Sequence, residues 1–334
     1  MERLDAGFTR YWSELRAALI AHLTTSTPTF FRDLAEPDTQ MINRLIGGGK
    51  NLRGCTVLAV CDALGGSIGS ALPAAVAIEC VHSASLIHDD LVDGDTVRRD
   101  RPAAWIIHGS RRAVLLGDVM FATALVRCAE LGREEGLTLS RAIAMLAAGA
   151  YKEPLNLREV ENSLTTNQPA HALYEQIISL KTGALFAAAA ELGAIAAQAT
   201  PVLRQAAFEF GGRVGEAYQI ADDLHDVVNR GDSRLLSQPQ AATLAILRAH
   251  FAASPNRDSP LRSTDVVNRL DHDFVQLTGA MEAEIRRRIA LARQALAPFA
   301  ERPSLTFLHV LPAAIIEPVQ SLTALTMAEP NNVR

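Results

Sequence analysis

Apolar residues recur every three or four positions along most of this chain. One side of the stretch 71–94 carries Ala77, Val81, Ala84, His88 and Leu91. Steps of four and three residues are the period of an amphipathic α-helix. The same criterion predicts helices over 2–23, 29–46, 52–65, 71–94, 111–131, 138–158, 170–197, 201–230, 239–252, 264–297 and 304–325. No segment shows the period of two that marks a half-buried strand, so the sequence predicts an all-α protein.

Short clusters of turn-forming residues separate the predicted helices. They are TSTP (25–28), GGG (47–49), GG (65–66), NQP (167–169), ATP (199–201) and SPNRDSP (254–260). Because these joints are short, neighbouring helices are expected to run antiparallel in one large bundle. We therefore predict a single domain over 1–326, with SPNRDSP as a surface loop and 327–334 as a frayed C-terminal tail.

The composition supports a large buried core. Of 334 residues, 49% are hydrophobic and 21% charged, and the net charge of −5 leaves no footprint for nucleic acid. The first residues, MERLDAGFTRYW, lack the basic-then-apolar order expected of a signal peptide, and no run of about 18 strongly apolar, uncharged residues predicts a transmembrane segment. The four cysteines form no CxxC pair, so we expect reduced core thiols. These features predict a soluble cytoplasmic protein, with a peripheral membrane association left open.

Lysine is rare in this chain. Of 32 basic residues only three are lysines, at positions 50, 152 and 181, and the rest are arginines. A compact ammonium group is not interchangeable with a planar guanidinium group. The three lysines are therefore candidates for specific roles.

The stretch LIHDDLVDGDTVRRD (86–100) places five aspartates at the end of an apolar helix. Asp89 and Asp93 are four residues apart, so their carboxylates share one face, one turn apart. Like charges at this spacing repel, and they add to the negative end of the helix dipole. Divalent cations would compensate this cost, and hard carboxylate oxygens suit Mg²⁺. A solvated charge run is the alternative interpretation.

A second cluster, in AYQIADDLHDVV (217–228), repeats the arrangement with Asp222, Asp223 and Asp226. The chain between the clusters forms several predicted helices, enough to bring the two acidic faces opposite each other. Together they predict an acidic cleft at the mouth of an apolar cavity. Such a cleft would bind several Mg²⁺ ions and a polyanion with an apolar tail, as in a prenyl diphosphate.

Four motifs, in order, resemble those of the trans-isoprenyl diphosphate synthases, also called polyprenyl synthetases. They are GGGKNLRG (47–54), HSASLIHDDLVDGDTVRR (82–99), KTGALF (181–186) and YQIADDLHD (218–226). The resemblance covers roughly residues 40–230. It implies a helical bundle of the isoprenoid synthase type, a homodimer, and transfer of an allylic prenyl group to isopentenyl diphosphate.

The resemblance implies that three Mg²⁺ ions surround the allylic diphosphate. It assigns direct magnesium ligation to Asp89, Asp93 and Asp222. It assigns supporting positions to Asp90, Asp223 and Asp226. Lys181 would stabilise the departing diphosphate, whereas Thr182 and Gln219 would present oxygen dipoles to the allylic cation.

The family's second substrate is isopentenyl diphosphate. The positions matching its diphosphate site are Lys50, Arg53, His82 and Arg99. Arg98 matches a position on the allylic side. The double bond attacks the cation and the released diphosphate removes a proton, so no separate protein base is required. Considered alone, His82 would be a hydrogen-bonded core histidine. We expect His88 to be structural, and Asp95 and Asp100 to be solvated.

Product length is expected to depend on the residues before the first aspartate. In this family a bulky aromatic residue four or five positions earlier closes the pocket, and here those positions are Ser85 and Ala84. The pocket should extend by at least one more helical turn, about 5 Å. This predicts geranylgeranyl or longer products, with Phe121 as a possible floor.

Three departures from the family pattern concern mainly the allylic side. AYKEPLNL (150–157) has Lys152 and Glu153 where a Gly-Gln pair is usual. The segment 228–245 is shorter than usual and has no lysine, and Arg230 and Arg234 are candidates to contact the allylic diphosphate instead. In the first motif, Asn51 and Gly54 stand where Arg and Pro are usual.

Two other functions stay open on this sequence. A terpene cyclase or atypical prenyltransferase on the same fold would not require Lys50, Arg53 and His82 together. A non-catalytic partner subunit would typically lose one aspartate cluster, and this chain keeps both.

Overall fold

In the computed structural model, helices account for nearly all of the described residues, which are 2–32, 34, 36–165, 170–229, 237–251, 270–300 and 303–328. In chain order the helices are α1 (Glu2–Phe30), α2 (Glu36–Gly47), α3 (Leu52–Ala63), α4 (Ile68–Asp93), α5 (Ala104–His108), α6 (Ser110–Leu131), α7 (Arg133–Lys152), α8 (Leu157–Thr165), α9 (Ala170–Ile177), a π-helix (Ile178–Gly183), α10 (Ala184–Ala196), α11 (Pro201–Asn229), α12 (Gln238–Phe251), α13 (Leu270–Ala295) and α14 (Pro303–Ala328). The predicted all-α class is confirmed.

The predicted break at 25–28 is wrong, because α1 continues through Pro28 to Phe30. Proline removes one backbone donor, but here it lies in the last turn, where little helix remains to be broken. The hydroxyl groups of Thr25 and Thr27 donate to the carbonyls of Ala21 and Leu23 at 3.2 and 2.7 Å. These bonds run back about one turn along the same helix, to carbonyls that precede its last turn.

A small hairpin follows α4, where no strand was predicted. Strands β1 (Val97–Arg98) and β2 (Arg101–Pro102) pair antiparallel. Arg99 and Asp100 form the two-residue turn, and both have positive φ, 53° and 59°. Positive φ at both turn positions is typical of a type I′ hairpin. Strands of two residues are too short to show a period of two in the sequence.

Other predicted helices also differ from the structure. The predicted helix 138–158 ends at Lys152, and α8 begins after Pro154, which disfavours helix at the residue before it. The predicted helix 170–197 contains the π-helix Ile178–Gly183. A π-helix preserves the apolar character of the stretch, so the apolar pattern alone does not reveal it.

The chain divides into two compact units. The first comprises Met1–Ala144, Leu185–Gly212 and Arg293–Leu311, and the second comprises Met145–Ala184, Arg213–Ala292 and Pro312–Arg334. The prediction of a single domain over 1–326 stays a prediction. The predicted loop 254–260 and residues 329–334 of the predicted tail lie outside the described residues.

In the first unit, α4 is the central helix and packs against α3 and α6. Glycines allow very close helix contacts here. A Cβ atom on Gly193 of α10 would lie 2.3 Å from the carbonyl oxygen of Val57 on α3, and one on Gly211 would lie 2.3 Å from that of Phe186. The four cysteines are free and buried in this unit, as predicted.

In the second unit, a buried arginine joins three helices. Arg288 of α13 pairs with Glu216 of α11, and its guanidinium donates to Glu175 of α9 at 2.5 Å and to Glu284 at 2.6 Å. Arg288 is 2% exposed. Removing one partner of such a buried ion pair is strongly destabilising, because a charge is left without compensation.

Two helical stretches, Ile68–Asp93 and Ala172–Ala196, are long and apolar enough to cross a membrane by length and composition alone. Their most apolar windows are 72% and 78% buried within the protein. The core helix of a globular protein meets the same criteria. The finding is therefore weak evidence for a membrane span and does not contradict the prediction of none.

Candidate functional site

The first aspartate set lies on the last turn of α4, in the first unit. The helix ends at Gly94, whose φ of 73° is the left-handed conformation that commonly terminates a helix. Asp90 is buried, Asp89 is half-buried and Asp93 is exposed. Asp89 and Asp93 therefore lie where a ligand from solvent can reach them.

Arg98 of the hairpin holds the buried member of this set. Its Nε donates to Oδ1 of Asp90 at 2.6 Å, and a second nitrogen donates to Asp95 at 3.1 Å. Asp95 also accepts a hydrogen bond from the indole of Trp105 through its carbonyl oxygen, at 2.7 Å. Asp95 and Asp100 are both exposed, as predicted, and Asp95 also helps to fix the hairpin through these contacts.

The next residue, Arg99, lies against Gly48 and Gly49. Its Nη1 donates to the carbonyl oxygen of Leu45 at 3.0 Å. A Cβ atom on Gly49 would come within 2.7 Å of the Arg99 guanidinium. Gly49 therefore leaves room for the cation at the end of α2. From the other side, Arg16 of α1 donates to the carbonyl oxygen of Gly49 at 3.0 Å.

Glu79 organises the start of α3, which carries Arg53. Asn51 precedes α3 in the left-handed conformation, with φ 54° and ψ 38°. Its amide donates to Glu79 at 3.3 Å, and the backbone N–H of Gly54 donates to Glu79 at 2.7 Å. Proline, which is usual at this position in the family, has no backbone N–H, so Gly54 supplies a donor that proline would lack. The guanidinium of Arg53 lies 4.6 Å from the ring centre of Phe186.

His82 lies one turn after Glu79 on α4 and close to several cations. Burial, followed by the positive charges of Arg53, Arg99 and Arg98, lowers the pKa of His82 well below its usual value. The imidazole is therefore neutral at physiological pH and offers one donor and one acceptor. Around 47–53 the first unit thus assembles His82 and Arg99 with Arg53, all candidate residues for isopentenyl diphosphate, whereas Lys50 is exposed.

The small residues before the aspartates are buried, and the pocket that they were expected to leave open stays a prediction. Ala84 is 0% exposed, and the Ser85 hydroxyl donates to the carbonyl oxygen of His82 at 2.8 Å. Phe121 does not lie a turn beyond Ala84, where a floor is required. Its ring packs against His88 at 5.7 Å, near the aspartate end of α4. The interpretation of Phe121 as a floor is therefore not supported.

His88 has a structural position, as predicted. Its Nε2 lies 3.0 Å from the carbonyl oxygen of Val114 on α6. A Cβ atom on Gly117 would lie 2.2 Å from the same ring nitrogen, so only glycine leaves space for the imidazole. The histidine thus joins α4 to α6.

In the second unit, the π-helix carries Lys181 and Thr182. Lys181 forms an ion pair with Glu153, and both side chains are about a quarter exposed, at 25% and 26%. Glu153 is one of the two residues that replace the usual Gly-Gln pair. The pairing therefore neutralises the ammonium group that the resemblance assigns to the allylic diphosphate.

A chain of hydrogen bonds joins Thr182 to the second aspartate set. The Thr182 hydroxyl donates to the Gln219 carbonyl at 2.6 Å, and the Gln219 amide donates to Asp223 at 2.8 Å. The Tyr174 hydroxyl donates to the other oxygen of Asp223 at 2.6 Å. Burial raises the pKa of Asp223 to about 7, against the lowering effect of these two donors. Asp223 is therefore held by protein donors rather than by solvent.

The other two aspartates of this set, Asp222 and Asp226, are exposed on α11. Within the described parts of the chain, no group of three or more His, Cys, Asp or Glu side chains could hold a metal ion. Mg²⁺ usually binds through one or two carboxylates together with waters and substrate phosphates. The pairs Asp89/Asp93 and Asp222/Asp226 fit that mode, because each pair presents hard oxygen ligands to solvent; Asp89 is half-buried and the other three are exposed.

A small cavity of about 30 Å³ lies beside the Lys181–Glu153 pair in the second unit. Its wall includes Gln219, Asp223 and Tyr174. A space of this size holds one or two water molecules, so it is a polar recess and not a prenyl pocket. Arg230 and Arg234, considered above as contacts for the allylic diphosphate, lie outside the described residues.

Sequence reasoning did not find Arg16, Glu79 or Tyr174. Each reaches its partner across at least 25 positions of sequence. Glu79 could have been identified as a candidate from the sequence, because a lone carboxylate on the buried face of an apolar helix requires a polar partner. The predicted opposition of the two aspartate sets stays a prediction.

Comparison with known proteins identifies a family over most of the site residues. The polyprenyl synthetase family model matches residues 37–237. A short chain isoprenyl diphosphate synthase from Methanothermobacter thermautotrophicus is 35% identical over 205 residues, which are 60% of this chain and 61% of that protein. A geranylgeranyl diphosphate synthase from Mycobacterium tuberculosis is 36% identical over 203 residues, 60% of this chain and 56% of that protein. The chain thus spans about three-fifths of the length of these curated relatives.

A solved structure extends the likeness to nearly the whole chain. The polyprenyl synthase from Caulobacter crescentus, solved in complex with calcium and isoprenyl diphosphate, matches with a TM-score of 0.68 at 25% identity. The match covers 92% of this chain and 97% of that one. The chain therefore has the all-α fold of the isoprenoid synthases.

Proposed function

The chain belongs to the polyprenyl synthetase family, and from that premise we propose that it condenses isopentenyl diphosphate with an allylic prenyl diphosphate. The observation that carries the proposal is the cationic cluster of the first unit. The Arg99 guanidinium lies on Gly49 and beside the neutral His82, and Arg53 lies at the start of α3. A diphosphate is the ligand that such a set of donors recognises.

The cluster binds the second substrate. Arg53 and Arg99 offer planar donor pairs that match phosphate oxygens, and Lys50 adds a compact charge from the exposed side. His82 stays neutral and donates one hydrogen bond. Arg98, which also contacts Asp90, lies at the aspartate end and is assigned to the allylic side.

Three aspartates, Asp89, Asp93 and Asp222, are proposed to ligate Mg²⁺, with three ions bound. When bound, the metal neutralises the departing diphosphate, so that the allylic C–O bond can ionise. The buried Asp90 and Asp223 keep their neighbours in place through Arg98 and Gln219. Asp226 adds a further exposed carboxylate, one turn after Asp222.

The developing allylic cation is stabilised by oxygen dipoles. Thr182 and the Gln219 carbonyl supply them, and Lys181 binds the departing diphosphate once Glu153 has been displaced. Fixed dipoles of this kind are effective because they require no reorganisation during the reaction. The released diphosphate then removes the proton, so no separate protein base is required.

The proposed products are geranylgeranyl diphosphate or longer. Ala84 and Ser85 have small side chains and therefore leave room in the proposed pocket. One turn further from the aspartates, α4 is buried against Met120: the sulfur of Cys80 lies 3.4 Å from the Met120 carbonyl oxygen. Met120 is fully buried and replaces Phe121 as the proposed floor. Products that stop at farnesyl diphosphate would refute an open pocket.

We further propose a cytoplasmic homodimer. Apolar side chains are exposed on α5 and α6, where Ile107 is 60% exposed, Leu115 52% and Val126 54%. Exposed apolar patches on a helix face commonly mark an interface. Light scattering should show a dimer, and the Leu115→Glu variant should be monomeric.

Product analysis tests the activity. Purified protein is incubated with Mg²⁺, isopentenyl diphosphate and each of three allylic primers, and the products are identified by mass spectrometry. Condensation lengthens the primer by five-carbon units. Consumption of primer without isopentenyl diphosphate would instead indicate a cyclase, and no turnover of any substrate would indicate a non-catalytic subunit.

Matched aspartate variants sharpen this test. Asp89→Asn and Asp222→Asn should each lower the rate by about 100-fold or more, because each removes a ligand for the charge-neutralising metal. Asp62→Asn is the control. Asp62 lies on α3, and its carboxylate accepts a hydrogen bond from the Tyr11 hydroxyl at 2.9 Å but has no proposed role in metal binding. Equal losses in all three variants would indicate general destabilisation.

A further inference from the structure

Tyr174 begins a directed chain of hydrogen bonds in the second unit. Its hydroxyl donates to Asp223, whose other oxygen accepts from the Gln219 amide, and the Gln219 carbonyl accepts from Thr182. Burial, followed by the charge of Asp223, raises the pKa of Tyr174 well above its usual value. The hydroxyl therefore stays protonated and remains a donor.

The direction of this chain fixes the amide of Gln219. The Gln219 NH₂ group points at Asp223 and its carbonyl oxygen at Thr182, and the ionised form of Asp223 enforces this orientation because it can only accept hydrogen bonds. Tyr174 is 3% exposed, Thr182 5% and Asp223 8%, so water has little access to replace these bonds. A reversed amide would present N–H dipoles where oxygen is needed.

Tyr174 is itself firmly held. Its ring lies 4.9 Å from the ring of His250 and 5.6 Å from that of Phe251, both on α12. Gln219 and Asp223 are one turn apart on α11, so the chain connects three helical segments of one unit. A side chain fixed on both its ring and its hydroxyl can hold Asp223 in one orientation.

We propose that Tyr174 is a positioning residue for the condensation, holding Asp223 so that Gln219 and Thr182 direct oxygen dipoles at the allylic cation. Tyr174 touches neither substrate in this role. It lowers the barrier to ionisation by fixing the amide before the cation forms. The inference rests on the proposed function, because the proposed condensation generates the allylic cation that these dipoles would stabilise.

The first test is Tyr174→Phe, which removes one hydroxyl and keeps the ring. The expected result is a fall in kcat of about 10- to 100-fold, as for a small misplacement of a reacting group, with KM for both substrates within about twofold. Tyr11→Phe is the matched control, because Tyr11 also donates to a carboxylate, that of Asp62 at 2.9 Å. It should lower the unfolding midpoint similarly and leave kcat unchanged.

The second test is Asp223→Asn, alone and with Tyr174→Phe. The new amide can accept from Tyr174 and donate to the Gln219 carbonyl, which reverses Gln219 without changing side-chain size. The single variant should lose kcat at least as severely as Tyr174→Phe. The double variant should be no slower than Asp223→Asn, because both changes act through one chain.

Several outcomes would overturn the inference. These are an unchanged kcat in Tyr174→Phe, a rise in KM alone, equal losses in Tyr11→Phe, or additive losses in the double variant. A wild-type protein that turns over no primer would refute the proposed function and this inference together. An active wild type with a normal Tyr174→Phe variant would refute the inference only.

Discussion

Replacing Gly49 by alanine should weaken binding of isopentenyl diphosphate with little loss of stability. The new Cβ atom would lie 2.7 Å from Nη2 of Arg99 and 3.0 Å from Cζ. Ordinary contact distances are about 3.5 to 4.0 Å, so the guanidinium has to move by roughly 1 Å. The atoms that must move are the far end of a flexible side chain, so the backbone need not shift.

The magnitude follows from the bonds that Arg99 would lose. Its bond to the carbonyl oxygen of Leu45 is 3.0 Å long, and a displacement of about 1 Å breaks it. A hydrogen bond from a charged donor contributes about 1.5 to 3 kcal/mol. If the displaced guanidinium loses one such bond to the substrate, KM for isopentenyl diphosphate rises by roughly 10- to 150-fold.

Steady-state rates at varied isopentenyl diphosphate, with saturating allylic primer, measure the effect. Gly47→Ala is the matched control, because a Cβ atom there meets nothing closer than Ile20 at 3.6 Å. This control should keep KM within about twofold, and both variants should unfold near the wild-type midpoint. A normal KM in Gly49→Ala would show that Arg99 does not bind this substrate.

Three further predictions test separate features. Since burial and nearby arginines lower the pKa of His82 well below 6.5, the unfolded state binds more protons below that pH. Below that pH, the free energy of unfolding of the wild type should therefore fall by up to about 1.4 kcal/mol per pH unit relative to that of the His82→Gln variant. Urea titrations in which both proteins lose stability equally as the pH falls would contradict this. Gly193→Ala places a Cβ atom 2.3 Å from the carbonyl oxygen of Val57. The overpacking cost of about 1 to 3 kcal/mol should exceed the gain of roughly 1 kcal/mol in helix propensity, so the variant should be less stable than the wild type. An unchanged urea midpoint would refute the close contact. Glu153→Gln releases Lys181 from its ion pair, and KM for the allylic diphosphate should fall by about two- to fivefold, as suits a partly exposed pair. A higher KM would show that Glu153 positions the lysine.

Periodicity predicted the elements that carry the aspartates well. Helices predicted at 71–94 and 201–230 are observed at Ile68–Asp93 and Pro201–Asn229. Both are long and have an apolar face that must be buried, so local pattern and tertiary packing agree.

The supporting residues could not be predicted in the same way. Glu79 and Tyr174 have roles only through partners 25 and 49 positions away in sequence. Nothing in the neighbouring sequence encodes such a contact. The Arg99 turn was also missed, because its conformation depends on positive φ at two residues that are not glycine.

The π-helix determines which side chain meets which charge. In a uniform α-helix, residues seven apart lie on nearly the same stripe, so Lys181 would follow Tyr174 toward α11. The wider turn absorbs one extra residue and shifts the phase, so that Thr182 meets Gln219 while Lys181 turns to Glu153. If the same residues, Ile178–Gly183, formed a regular α-helix, the ammonium of Lys181 would take the position that the Thr182 hydroxyl holds. One surplus residue thus separates the group suited to an anion from the group suited to a cation.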